Sequence, residues 1–202
     1  DAHSATTLRL RPFLAFRSVN KLTEENSVAR TGYEEVDNGV SFCMYEGYPN
    51  LVMQTNKQMQ GVSETNWYDG IEYSKEAERG YAFKEDLFVP GYFELSIKKG
   101  EIVVFSAGTE VISSRRLKRL FEDEKEARLE RTDFISCLKT SAYQFYNKLS
   151  DGAYLLAGYP WFNYRARDQF ISLPGATLYA DDDKFFDEVM DKAVVALREF
   201  MN

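Results

Sequence analysis

The apolar residues of this chain change spacing near residue 112, and that switch dictates a β part followed by an α part. Before it, short segments alternate apolar and polar side chains, the period of a strand with one buried face. Thr7–Phe16 sets Leu8 and Leu10 against Arg9 and Arg11, and Pro12 then requires a sheet edge or a bulge. Val40–Tyr45 is a second strand, which Tyr48–Asn50 turns into Leu51–Asn56. Asn66–Tyr73 is rich in aromatic residues, with Gly70 at a bulge or kink. Tyr92–Ile97 and Glu101–Phe105 flank Lys98–Gly100, which predicts a hairpin. Short strands at this spacing predict an antiparallel sandwich.

Beyond the switch, Ser113 or Ser114 is placed to cap a helix over Arg115–Arg131. Twelve of the 18 residues from Ser114 to Arg131 are charged, so Leu117, Leu120, Phe121, Ala127 and Leu129 form only a thin apolar seam. That composition predicts an exposed linker helix laced with i,i+4 ion pairs. Phe134, Leu138, Ala142 and Phe145 predict a packing face on a helix over Phe134–Tyr146. Ala153–Ala157 returns to extended form. Asp183–Phe200 predicts a final amphipathic helix with Phe185 or Phe186, Met190, Val194 and Leu197 in register. The fold class is α+β, with a β-sandwich over 1–112, a charged linker helix over 113–131 and a helical domain over 132–202.

Composition removes several classes of function. A net charge of −7 argues against a nucleic-acid partner, because a phosphate backbone needs a positive surface. No apolar run approaches a membrane span, and no signal peptide is visible. Cys43 and Cys137 lie in apolar contexts without CxxC spacing, which predicts two buried reduced thiols and a reducing, cytoplasmic compartment. His3 is the sole histidine, so catalysis would rest on carboxylates rather than on a histidine-based triad. No metal-ligand spacing and no cofactor motif are present. The chain begins at Asp1 rather than Met, as expected of a processed product or a piece of a longer protein.

One stretch carries chemistry. Ala157–Gly175 gathers Trp161, Phe162 and Tyr164 beside Arg165, Arg167 and Asp168. Aromatic faces stack on the C–H faces of pyranose rings, Arg forks hold hydroxyls or tune a neighbouring acid, and a carboxylate at a glycosidic oxygen serves as general acid or base. The bland alternative is a buried strand and turn followed by a surface ion pair. In the β part, Trp67 and Tyr68 pose the same choice between sugar stacking and packing. Glu76, Glu78, Arg79, Glu85 and Asp86 form a polar cluster that reads as a loop-pinning ion-pair network or as a cleft lining.

The stretch resembles the AGYPWF-x-x-x-x-RD-x-x-I-x-LPG signature that opens the catalytic domain of bacterial and archaeal glycogen debranching enzymes of the amylo-α-1,6-glucosidase type. Leu10–Arg17, Trp67–Tyr73, and Glu76–Gly80 followed by Glu85–Gly91 are similar to three blocks of that family's N-terminal β domain. Ala166 departs from the signature, standing where Gly is common. The resemblance implies a galactose-mutarotase-like β-sandwich followed by the first helices of an (α/α)6 toroid. It also implies hydrolysis of α-1,6 branch points in glycogen or a related branched α-glucan, with Asp168 as general acid and Arg167 positioning it or a sugar hydroxyl. Trp161, Phe162, Tyr164 and Arg165, with Trp67 and Tyr68, are the implied substrate contacts.

Glycosidases need two carboxylates about 5–5.5 Å or 6.5–9.5 Å apart. The family draws the second from far downstream, so this chain reads as an inactive fragment whose partner is the rest of its parent chain, with self-association of exposed helix faces. Two other readings stand: a glucan-binding module in which Trp67, Tyr68, Trp161 and Tyr164 stack sugars without chemistry, and a structural scaffold that binds no sugar.

Overall fold

The computed structural model describes residues 3–159 and 161–201. The chain divides into two compact units, Asp1–Lys125 and Glu126–Asn202.

Unit 1 is built from two antiparallel sheets. The first places β6 (Lys84–Ile97) between the edge strands β1 (Thr6–Leu10) and β5 (Gln60–Glu72). Pro12 falls just past β1, whose outer edge is free to carry a residue without an N–H. The second has the order β2 (Tyr33–Val36), β3 (Gly39–Phe42), β4 (Leu51–Thr55), β7 (Phe105–Gly108). The core joins both: Leu14, Val40, Phe42, Met44, Met53, Phe88 and Phe93 are buried in one cluster, and the Phe42 and Phe88 rings stack at 5.8 Å. Val40 and Phe42 are two apart on β3, as strand alternation requires.

Two glycines permit this geometry. Gly39 pairs with Gln54, and a Cβ there would lie 2.2 Å from the Met53 carbonyl. Gly70 sits in a register shift of β5 between Tyr68 and Ile71 at φ +65°, the bulge its sequence position predicts.

The hairpin expected over Tyr92–Phe105 does not form. β6 ends at Ile97, residues 101–104 are irregular, and β7 joins β4 in the other sheet. Glu101 explains the departure, since its carboxylate is held by the Lys57 ammonium at 2.8 Å and by the Lys98 N–H at 2.8 Å. Val104 then bonds to Asn56 through both its N–H and its carbonyl. The sequence reading also passed over β2, which meets β3 through a two-residue turn with Asn38 at φ +47°.

Helix α1 (Ser74–Glu78) is a short exposed insert between β5 and β6. Helix α2 (Ser114–Ala127) is shorter than the predicted 115–131 and buries only Ser114 and Leu117. Its start is tied by a distant side chain: Asp37 accepts hydrogen bonds from the Ser114 N–H at 2.7 Å and the Ser114 hydroxyl at 3.1 Å. The buried Gln54 amide fixes the approach to that helix, donating to the Asp37 and Ile112 carbonyls and accepting from the Ile112 N–H.

Unit 2 contains α3 (Phe134–Tyr143), β8 (Tyr146–Leu149), β9 (Gly152–Gly158), β10 (Phe162–Tyr164), α4 (Ala166–Ala176), a turn of 3-10 helix (Leu178–Ala180) and α5 (Asp183–Met201). Central β9 pairs with β8 and β10, so a three-stranded antiparallel sheet lies among helices where the sequence reading saw only an extended link. The alternation responsible is short: Ala153 and Leu155 face the core with Leu173 of α4 and Phe185 and Val189 of α5. Helix α3 stops at Tyr143, three residues before the predicted end, because Tyr146 opens β8. Asp133 and Ser136 form a reciprocal capping box at its start. Its expected packing face is open, with Phe134 and Leu138 exposed, and α5 buries Phe185 and Val189 rather than Met190, Val194 and Leu197. Cys43 and Cys137 are unpaired and half-buried rather than fully buried.

Candidate functional site

The signature forms a β-hairpin that runs directly into a helix. β9 carries Ala157 and Gly158, β10 returns with Phe162 opposite Gly158 and Tyr164 opposite Leu156, and α4 follows at Ala166. Pro160 of the signature lies outside the described residues. Ala166 is the first residue of an ordinary helix, so the position where Gly is common makes no demand for positive φ here.

The hairpin aromatics divide into packed and open faces. The Phe162 ring lies over Gly158, where an added Cβ would come within 2.8 Å of Cδ2, and the Arg165 guanidinium sits 4.5 Å from its centroid. Phe162 is still 49% exposed beside Arg165. Tyr164 stacks at 4.2 Å on buried Tyr154, which leaves its other face outward. The Tyr154 hydroxyl donates to Asp151 at 2.6 Å, and Lys192 pairs with the same carboxylate at 3.4 Å. Those two partners hold the Asp151 carboxyl below the usual range. Trp161 is 54% exposed at the turn, beside the still more open Tyr159. Trp161 and Tyr164 thus present open aromatic faces.

Helix α4 decides where Asp168 points. Gln169 and Leu173 are buried one turn apart, and the Gln169 amide oxygen accepts the Leu155 N–H at 3.0 Å, fastening the helix to β9. Tyr146 fastens the other end, donating to the Ala176 carbonyl at 2.7 Å while its ring stacks on Phe185 at 3.8 Å. Burial, helped by the charge of Asp182, pushes the Tyr146 hydroxyl up to about 12. With that stripe inward, Asp168 lies exposed in the first turn, where the helix dipole favours an acidic residue. Among the described residues its carboxylate forms no hydrogen bond or ion pair, and neither Arg165 nor Arg167 clasps it. Adjacent helical residues diverge by about 100°, which separates Arg167 from Asp168. Sequence reasoning missed Gln169 and Tyr146. A buried polar residue one turn from a buried leucine carries no local mark.

The predicted residues of unit 1 sit in a different environment. Trp67 packs edge-on against Phe88 at 5.3 Å and belongs to the core periphery. Tyr68 accepts a hydrogen bond from Arg11 at 2.5 Å and meets Phe13 edge-on at 4.8 Å. The polar cluster separates into two. Glu76, Glu78 and Arg79 form exposed pairs on and beside α1, whereas Glu85 is buried. Glu85 accepts from Arg17, from the Tyr73 hydroxyl at 2.5 Å and from the Thr23 N–H at 3.1 Å. Asp86 accepts from the N–H groups of Glu25 and Gly70, both at 2.8 Å, and these bonds hold its carboxyl low. Glu85, through its Arg17 ion pair, and Asp86, through backbone N–H groups, pin loops within unit 1, and the five residues do not form the single network at the interdomain loop that the ion-pair reading expects. Among the described residues no group of acidic, cysteine or histidine side chains has the arrangement of a metal centre, and no helix is long and apolar enough to cross a membrane.

Comparison with known proteins places these observations. No curated protein and no solved structure matches the chain. Residues 136–191, which include the hairpin and Asp168, match the family model described as amylo-alpha-1,6-glucosidase. Residues 1–104, just over half of the 202, match the model described as glycogen debranching enzyme N terminal. In order and in extent these matches show that the chain belongs to the glycogen debranching enzyme family.

Proposed function

We propose that this chain serves the hydrolysis of α-1,6-glucosidic branch points in glycogen or a related branched α-glucan, the work of a glycoside hydrolase. The observation that carries the reading is the signature hairpin within the glucosidase match, with outward aromatic faces leading straight to an exposed carboxylate. Trp161 and Tyr164 stack the sugar, Arg165 and Arg167 bind its hydroxyls, and Asp168 is the general acid at the glycosidic oxygen. Phe162 supports Arg165. The family resemblance draws the second carboxylate from farther along the parent protein, and we assign full activity to that parent. We extend the family architecture, a mutarotase-like sandwich followed by an (α/α)6 toroid, to that parent. The domain limits we assign are 1–112, 113–131 and 132 onward. A cytoplasmic setting is supported by the two unpaired cysteines.

Asp168→Asn in the full-length protein tests the assignment on a branched limit dextrin. Loss of a general acid lowers kcat by roughly 10²–10⁴-fold with KM little changed. A raised KM at normal kcat would sink the acid role and leave Asp168 as a binding residue. The open aromatic faces also suit a module that stacks α-glucan without chemistry. That reading predicts maltooligosaccharide binding in a full-length protein that releases no glucose from the dextrin.

A further inference from the structure

Unit 1 holds a groove that the signature does not use. Its walls come from the β2–β3 hairpin, the segment leading into β5 and the end of β6, and it has a volume of about 850 Å³. That is the size of a ligand cleft, on the order of 300–1,000 Å³.

The lining defines the ligand. Tyr33, Val40 and Phe93 line both the groove and an adjoining apolar dent of about 10 Å³. Such a dent has room for about one water, and Val40 and Phe93 are buried in the core, so the apolar floor on which a ring can lie is the half-buried surface of Tyr33 and Met59. The wall beside the floor is bare backbone. A Cβ on Gly61 would meet the Tyr33 hydroxyl at 3.1 Å.

Of the charged groups at the groove, Lys57 is taken by Glu101 and the Ser96 carbonyl, and Glu94 by Arg9. The side chains left to a ligand are the Asn38, Gln58 and Gln60 amides, the Tyr33 hydroxyl and the Glu35 carboxylate. Amides, a hydroxyl and one carboxylate acceptor above an apolar floor suit a neutral, hydroxyl-rich ring. A phosphate or carboxylate ligand would need an uncommitted cation, and the lining provides none among the described residues.

We propose that this groove is an accessory site for a short linear α-glucan chain, holding a neighbouring branch of the polymer whose branch points the signature addresses. The identity of the sugar rests on the proposed function; the place of the site rests on the groove alone.

The test is a titration of the isotope-labelled chain with maltoheptaose, followed by amide NMR. The amides of Gly39, Gln58, Gln60 and Gly61 shift along one saturating curve. Replacing the exposed Gln58 and Gln60 together by Ala weakens that curve about tenfold, as loss of two hydrogen bonds implies, while the rest of the spectrum stays native. Trp161→Ala with Tyr164→Ala leaves the groove response intact. If only amides around Gly158 and Trp161 move, or if the double glutamine variant binds unchanged, the groove proposal is overturned and the signature reading stands. If only groove amides move, the groove is supported and the signature reading fails. A spectrum unmoved by the sugar overturns both.

Discussion

Glu85 is where the loops of the β unit converge. Burial alone would raise its carboxyl, but hydrogen bonds from Arg17, Tyr73 and the Thr23 N–H, with the Arg17 charge, outweigh burial and hold it below the usual glutamate range. A group whose folded value is depressed stabilises the fold above its unfolded value, here about 4.5, and loses that contribution as pH falls through the folded value. Glu85→Gln therefore costs about 2 kcal/mol at pH 7, the scale of hydrogen bonds to a buried charge. The gap between variant and native closes as pH drops below 4.5. Urea unfolding at pH 7 and pH 3 checks it, and a gap of the same size at both would refute the mechanism. The sequence already suggested Glu85 as part of a pinning network. It could not separate Glu85 from Glu76 and Glu78, because all are glutamates near a turn and only the fold buries one of them.

At the level of elements, the hairpin β9–β10 and helix α4 act as one device for presenting Tyr164 and Asp168. Gly158 is its closest-fitting part, since the Phe162 ring occupies the space a side chain would fill. Gly158→Ala pushes that ring and the Arg165 above it, at a cost of about 1–3 kcal/mol, the usual range for overpacking. Maltooligosaccharide affinity falls with it, because the turn carrying Trp161 shifts. Thermal unfolding and a binding titration on the same sample test both effects, and a variant with native stability and affinity would show that the contact is slack. The glycine was legible as part of a motif. Its role as a seat for Phe162 was not, because cross-strand register is set by the hydrogen bonds of the sheet.

For the whole molecule, each unit has its own apolar cluster, and unit 2 leaves much apolar surface open. Val194, Leu197, Phe200 and Met201 are all exposed along the second half of α5, as are Phe134, Ile135 and Leu138 of α3. Exposed apolar patches of this kind drive association. Sedimentation velocity of the chain is expected to show a weight-average value rising with concentration, reduced by Val194→Lys combined with Leu197→Lys. A single species unaffected by concentration would contradict this.

Local spacing determined the β character of unit 1, along with β3, β4, the Gly70 bulge and the existence of helix α5, because the apolar period tells strand from helix; it determined neither the strands β8–β10 of unit 2 nor which face of α5 is buried. The family signature was equally local, a run of side chains that keeps its meaning before folding. Partnership was decided only in three dimensions. β6 pairs with β1 across most of unit 1, Thr6 against Ile97, and not with the segment that follows it, which Lys57 and Asn56 hold instead. Asp37 anchors a helix that begins at Ser114, and burial of Gln169 turns Asp168 outward. Each of these outcomes depends on a group remote in sequence, and nearest-neighbour pattern carries no information about which remote group arrives.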